Sequence, residues 1–304
     1  MTSPTSSLRC SACASEMKFI FFTRDYNRHI SDETFNYEKC VHCGLISLRN
    51  VPDDLGRYYD AGYHQFPATE FELTSRAENE RFKLDIIRKF SVSGHLVEIG
   101  PSWGAFAYLA KNAGYMVEVI ERDAACCRFI EERIGVRAIQ TQDEANALGA
   151  LTNPTIITLW HVIEHLRDPW RLLARAADRL ALGGILIVSS PNAEAFQLRL
   201  FAQYWPHVDA PRHLHLIPPS LLVEQAKSIG LTLEFFTTTD VGTIACNEFG
   251  WRGSLQNMVV SRMAKRIMDR IGQVASTFAK PFERREGMGS AYTVVFKKVS
   301  SGRP

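Results

Sequence analysis

The sequence predicts an α/β protein: a doubly wound parallel sheet, preceded by a small cysteine-rich ribbon and interrupted by helical insertions. Three observations carry this. From residue 94 short apolar strands alternate with helical patterns; a glycine turn, Gly100-Pro101-Ser102-Trp103-Gly104, joins the first such strand to its helix; and four cysteines fall in two CxxC pairs before residue 44. Strand–helix alternation implies parallel pairing with helices on both faces.

The ribbon comes first. Cys10, Cys13, Cys40 and Cys43 frame strand-like runs at 18–22, 35–39 and 45–48. Paired CxxC spacing places four thiolates at the corners of a tetrahedron, the geometry of structural zinc, and so short a module needs the metal to hold it. A redox pair or four incidental thiols are the alternatives. Four protein ligands leave no open position, so such a zinc is structural.

An aromatic linker with Tyr58, Tyr59, Tyr63 and His64 follows, and then a helical stripe over 72–90. The tyrosines either close over a bound ligand or pack the ribbon onto the rest. The alternating region runs 95–99, 105–112, 116–120, 124–134, 155–160, 170–180 and 184–189. After Pro191-Asn192 an irregular, aromatic segment extends to Pro219, suited to walling a pocket. A helix (220–229), a strand (232–237), a long helical pattern (254–278) and a last strand (290–298) complete the chain. The 254–278 stripe of Leu255, Met258, Val259, Met263, Ile267, Ile271 and Val274 reads as the packed face of a helix with a solvated basic side. A lid, a dimer face or a membrane-surface helix is the alternative. The expected organisation is a ribbon over 1–50, a linker and helical cap over 51–92, and a main domain over 93–304 with a helical insertion near 250–286.

The 304 residues carry a net charge of +2, and 46% are hydrophobic. This balance supplies a core but no field that recruits nucleic acid or an anionic membrane. The Met1–Ser7 segment lacks a secretory pattern, so a cytoplasmic location is the expectation, with thiols reduced or metal-bound.

The turn after Ile99 decides the ligand. Dinucleotide folds use G-x-G-x-x-G to cradle pyrophosphate; here Gly100 and Gly104 stand four apart, Ser102 occupies the middle, and Glu98 sits in the turn. A carboxylate repels pyrophosphate and favours an ammonium or sulfonium, which argues against NAD and toward S-adenosylmethionine. The second strand ends in Glu121, placed to accept hydrogen bonds from ribose hydroxyls.

With "VEIGPSWGAF", the strand ending at Glu121, "IITLWHVIEHLRDPWRLL" and "LALGGILIVSSPN", residues 93–240 and the last strand resemble the class I S-adenosylmethionine-dependent methyltransferases, whose Rossmann-like sheet the pattern matches. The resemblance extends to a bacterial group with an N-terminal zinc ribbon and a Trp205…Asp209-Ala210-Pro211-Arg212-His213-Leu214-His215 segment, found in polysaccharide and natural-product pathways. It implies that Glu98, Gly100 and Gly104 line the methionine end and Glu121 the ribose, with Ser102 keeping the loop passable. Asp143, beside Gln142 and Glu144, would meet the adenine. Trp160 and His161 would stand near the transferable methyl. Pro101-Ser102 departs from the usual loop.

A general base is needed when the acceptor must lose a proton. Among nine histidines, His161, His165 and His213 are the candidates. His213 and His215, two apart, would share a side of an extended segment. Glu164 with a histidine could instead hold a divalent cation, or Glu164 and His165 could simply order the loop. The expected activity is methylation of a small molecule or glycan, free or carrier-bound, most simply at oxygen. RNA base methylation is the alternative within enzymes, opposed by the scattered Arg24, Arg28, Lys39 and Arg49 of the ribbon. A cofactor-binding protein without catalysis is the alternative outside them.

Overall fold

The computed structural model describes residues 9–59, 62–285 and 287–299; the Met1–Ser7 segment read for a secretory signal lies outside these. Strands β1 (Met17–Thr23), β2 (Phe35–Cys40) and β3 (Ile46–Leu48) form the ribbon's antiparallel sheet. A fourth strand, β9 (His215–Leu216), comes from far along the chain and pairs with β3 through Ile46↔Leu216 and Ser47↔His215.

Helices α1 (Glu70–Glu78) and α2 (Arg81–Arg88) replace the single helix expected over 72–90. Thr69 caps α1 by accepting from Glu72 N–H, and the helix closes where Asn79 and Glu80 donate back three residues, to Arg76 and Ala77. Asparagine is a poor interior helix residue, and the tightened last turn lets α2 start in a new direction.

The main sheet holds β4 (His95–Ile99), β5 (Met116–Glu121), β6 (Arg137–Gln140), β7 (Ile156–Trp160), β8 (Ile185–Pro191), β10 (Leu231–Thr237) and β11 (Ala291–Lys298) in the order β10-β11-β8-β7-β4-β5-β6. Only β11 runs against its neighbours β8 and β10; the other pairings are parallel. The chain leaves β4 toward β5 and β6, then returns to β7 on β4's other side. Helices α3 (Ala105–Asn112), α4 (Ala124–Phe129), α5 (Glu144–Gly149), α6 (Pro169–Arg179), α7 (Phe196–Phe201) and α8 (Pro219–Ser228) connect the strands. The helix expected over 124–134 is α-helical only to Phe129 and widens into a π turn before Gly135, whose φ of 67° ends it.

Strand residues alternate between two cores. Val97, Ile99, Ile157 and Leu159 pack toward α6 and α8, while Leu96, Val119, Ile156 and Trp160 pack with Phe106 of α3 and Ile87 of α2. Each such fully buried aliphatic side chain contributes about 1.5–3 kcal/mol. A third core joins Phe35, Tyr37, Ile46 and Leu48 of the ribbon to Leu198, Phe201, Trp205, Leu214 and Leu216. The aromatic segment expected to wall a pocket thus goes largely into completing the ribbon, which is too small to bury an apolar face alone.

Helices α9 (Val241–Asn257) and α10 (Arg262–Glu283) form a hairpin that corrects a further expectation. The 254–278 pattern is broken at 258–261, where Ser261 caps α10. Its apolar stripe is not the packed face: Met263, Ile267, Ile271, Val274 and Phe278 are exposed, whereas Gly272, Ser276 and Ala279 face inward. A side chain at Gly272 would meet the Arg252 backbone at 2.7 Å, so only small residues allow the two helices to approach.

Candidate functional site

Ligands of open α/β sheets bind beyond the carboxyl ends of the strands where strand order reverses, here between β4 and β7. Glu98 lies near the end of β4, opposite Val119 of β5 and Thr158 of β7. It is buried, and its Oε2 has no hydrogen-bond partner among the described residues; Thr158 Oγ1 and Trp160 Nε1 are also buried and unpaired. Burial pushes the Glu98 carboxyl up to about 8, against the opposing charge of Lys83.

Gly100 (φ 66°) and Gly104 (φ 89°) turn the chain from β4 into α3. A Cβ on Gly100 would lie 2.6 Å from Val162 Cγ2, and one on Gly104 2.8 Å from Ile130 and Ile134, so both close approach and φ demand glycine. Ser102 adopts the left-handed φ of 56° that a glycine takes at no cost. It is held there from two sides: its N–H donates to Glu121 Oε2 (3.1 Å) and its Oγ bonds His64 Nδ1 (2.9 Å). Glu121 Oε1 in turn accepts from the Arg122 (2.6 Å) and Asp123 (2.9 Å) N–H groups. Burial raises its carboxyl, and these amides oppose the rise.

Other cofactor-side residues sit less simply. Trp160 is packed between Phe82 and Phe106, with Lys83 Nζ 5.2 Å from its ring. Asp143 accepts from Asn146 N–H as the cap of α5 and pairs with both terminal nitrogens of Arg171 at 3.0 Å. Glu144 is bound by Arg122.

Around Glu164 the three histidines converge. His161 holds a strained φ of 55° directly after β7. Its N–H donates to Ser189 O (2.9 Å), and its Nδ1 stands 3.4 Å from Glu164 Oε1. Glu164 is fully buried; Ser190 donates to its Oε2 (3.2 Å), while Oε1 has no hydrogen-bond partner among the described residues. Burial opposes its charge, but the His161 contact and the surrounding imidazoles outweigh that and hold it at about 2. His165 Nδ1 donates to Arg212 O (3.0 Å) and lies 3.3 Å from the Tyr59 hydroxyl. Burial and the neighbouring His213 press His165 down to about 4, so it is a neutral imidazole at pH 7. His213 Nδ1 donates to His207 O (2.8 Å), and its ring meets His165 edge-on at 4.6 Å. His215 does not join them: it lies in β9 with Nδ1 2.9 Å from Ser47 Oγ, whereas His213 precedes the strand.

Two features escaped the sequence reading. Arg212 is 1% exposed and bonds Asp25 Oδ1 (2.6 Å), both oxygens of Asp209 (2.7 and 2.9 Å) and Tyr58 O (3.2 Å). Tyr37 of the ribbon donates to His213 O (2.7 Å). The ribbon therefore holds the segment that carries His213. Of the linker tyrosines, Tyr58 packs against Phe35 of the ribbon, and the Tyr59 hydroxyl lies 3.3 Å from His165 Nδ1.

The four ribbon thiols gather with all Sγ atoms within 4.8 Å of one another, and the His42 and Cys43 N–H groups approach Cys40 Sγ at 3.4 Å. An open groove of about 570 Å³, lined by Tyr26, Glu248, Arg252 and Asp269 among others, lies between ribbon and hairpin and contains none of these site residues.

Comparison with known proteins agrees with this geometry. The family model described as a methyltransferase domain matches residues 73–234, just over half of the chain. A solved structure from Galdieria sulphuraria, assigned provisionally as a sarcosine dimethylglycine methyltransferase, shares the fold at a TM-score of 0.51. It is 12% identical, with 78% of this chain and 92% of that one covered. A SAM-dependent methyltransferase from Archaeoglobus fulgidus aligns at a TM-score of 0.49, 18% identical over 73% of this chain and 93% of the other. No curated protein matches the sequence. The chain belongs to the methyltransferase-domain family, within the class I S-adenosylmethionine-dependent enzymes that its sequence resembles.

Proposed function

We propose that the protein transfers a methyl group from S-adenosylmethionine to a hydroxyl oxygen of a small molecule or glycan, with His161 as general base. The observation that carries this is the position of His161, strained and half-exposed directly after β7, with Nδ1 3.4 Å from buried Glu164. The site residues suit the cofactor: Glu98 offers an unpaired carboxylate oxygen to its ammonium, Gly100 to Gly104 present backbone without side chains in the way, and Glu121 faces the ribose. In this reading Asp143 marks the adenine edge, sharing its carboxylate with Arg171.

Bound there, the sulfonium supplies an electrophilic methyl carbon with a neutral thioether leaving group. The protein's part is alignment and proton removal. His161 Nε2 takes the acceptor's proton as the new C–O bond forms, and Glu164 stabilises the imidazolium through Nδ1. Trp160 packs beneath this tip. His165 and His213 line the acceptor side. Cys10, Cys13, Cys40 and Cys43 hold a structural zinc, whose fit rests on the clustered thiols and the amides aimed at sulfur. The ribbon over 1–50, the cap over 51–92 and the transfer domain beyond act as one unit through the third core.

Arg49 pairs with Glu38 and Arg57 with Glu33, which weighs against the ribbon binding phosphates. No helix among the described residues is long and apolar enough to cross a membrane.

The test is methyl transfer from labelled cofactor into an extract separated into RNA, protein and low-mass fractions. Label in the low-mass or glycan fraction, reduced about 10²–10⁴-fold by His161→Asn with cofactor affinity unchanged, is the expected result. Label in RNA, or full turnover by the variant, would contradict the proposal.

A further inference from the structure

His165 and His213, which general-base catalysis by His161 does not use, gather beside the buried Glu164 that it does use. One carboxylate oxygen of Glu164, one ring nitrogen of His165 and one of His213 all lie within 4.8 Å of one another. Three independent features leave these side chains with atoms free to bind a cation. Glu164 Oε1 is buried without a hydrogen-bond partner among the described residues. His165 Nδ1 donates to Arg212 O, which leaves Nε2 as a lone pair. His213 Nδ1 donates to His207 O, which does the same for its Nε2. Fixing one ring nitrogen on a backbone carbonyl so that the other presents its lone pair is how metal-binding imidazoles are oriented.

We propose that Glu164, His165 and His213 form a binding site for a divalent transition-metal cation that receives an oxygen of the acceptor. Two imidazoles and one carboxylate suit a borderline cation such as Mn²⁺, Fe²⁺, Co²⁺ or Zn²⁺ and are ill-suited to Ca²⁺, which takes oxygen ligands. Three ligands about 2.1 Å from such an ion stand about 3–3.6 Å apart, inside the 4.8 Å within which these atoms already lie, so modest side-chain rotation closes the set. A cation also supplies a full counter-charge to a buried carboxylate. The Arg212 guanidinium is neutralised by Asp25 and Asp209. Three protein ligands leave positions open, and an acceptor hydroxyl bound at one loses its proton to His161 more readily. The cation's role in transfer rests on the methyl-transfer reading; its binding does not.

The experiment uses the full chain, stripped with a mild chelator to one zinc per molecule and titrated with Mn²⁺ alone, the free ion being followed by electron paramagnetic resonance. One Mn²⁺ per chain is expected, with affinity reduced at least tenfold in Glu164→Gln and again in His213→Asn, while zinc content and cofactor affinity by calorimetry stay unchanged. Wild-type protein that takes up no Mn²⁺, and no Co²⁺ in a parallel titration, overturns the site whatever the variants do. So does binding that survives in both variants. Loss of cofactor binding in the wild type would instead remove the methyl-transfer reading and leave the metal result standing.

Discussion

The two sides of the site are built differently. On the cofactor side, Glu98, Gly100, Ser102, Gly104 and Glu121 come from two adjacent strands and the turn between them, within a 24-residue stretch. On the acceptor side, Glu164 and His165 are held by Arg212 and His213, and these by Asp25 and Tyr37 of the ribbon, with 187 residues separating Asp25 from Arg212. One half follows from a single strand–turn–helix unit. The other exists only after the ribbon has packed and β9 has paired with β3. A domain that would otherwise look like an accessory thereby becomes part of the proposed acceptor side.

Removing the clasp should have the largest effect. Arg212→Ala leaves Asp25 and Asp209 as buried, uncompensated charges, and is expected to lower stability by about 3–5 kcal/mol in urea unfolding. A loss below 1 kcal/mol would mean the ribbon is not anchored there. Gly104→Ala tests the opposite half. Its left-handed φ and the 2.8 Å approach to Ile130 and Ile134 predict a loss of about 1–3 kcal/mol together with weakened cofactor binding. A variant with unchanged affinity would separate the turn from the cofactor.

The buried Glu98 makes cofactor affinity depend on pH. Its carboxyl lies at about 8 in the folded protein against an ordinary 4.5, so between these values the native state holds a proton that the unfolded chain has lost. Stability without ligand therefore falls as pH rises through that window, by at most about 1.4 kcal/mol per unit. A cationic ligand needs the ionised form, so binding should tighten from pH 6 to 8, by at most about tenfold per unit. Calorimetry on Glu98→Gln should show this slope abolished. The smallest effect is expected on α10: because Ile271 is exposed, Ile271→Gln should change stability by less than about 0.5 kcal/mol. A loss of core size would place the stripe inside after all.

The same contrast explains what was legible in the sequence. The Gly100–Gly104 turn, the carboxylates at the strand ends and the CxxC pairs are local patterns; the turn joins β4 to α3 with both glycines at positive φ, and the four thiols cluster. Asp143 was read by position alone, and its carboxylate is engaged by Arg171 and a helix cap. Arg212 stood in a visible Pro-Arg-His-Leu-His run, but its partner Asp25 cannot be inferred from spacing. The α10 stripe misled because periodicity marks a face without saying which way it turns; the decisive residues were the small ones, Gly272, Ser276 and Ala279. Lys83 leans over Trp160 while paired with Glu80 at 2.6 Å, a placement that helical spacing alone does not give.

The division into two halves is tested most directly by Cys40→Ser in the full chain, measured by hydrogen exchange and by cofactor calorimetry on the same sample. The account predicts faster exchange across residues 17–48 and 205–216, with the β4–α3 turn still protected and cofactor affinity within about twofold of wild type. Unchanged protection over 205–216 with the ribbon opened, or cofactor binding lost along with it, would contradict the claim that the ribbon builds the acceptor side alone.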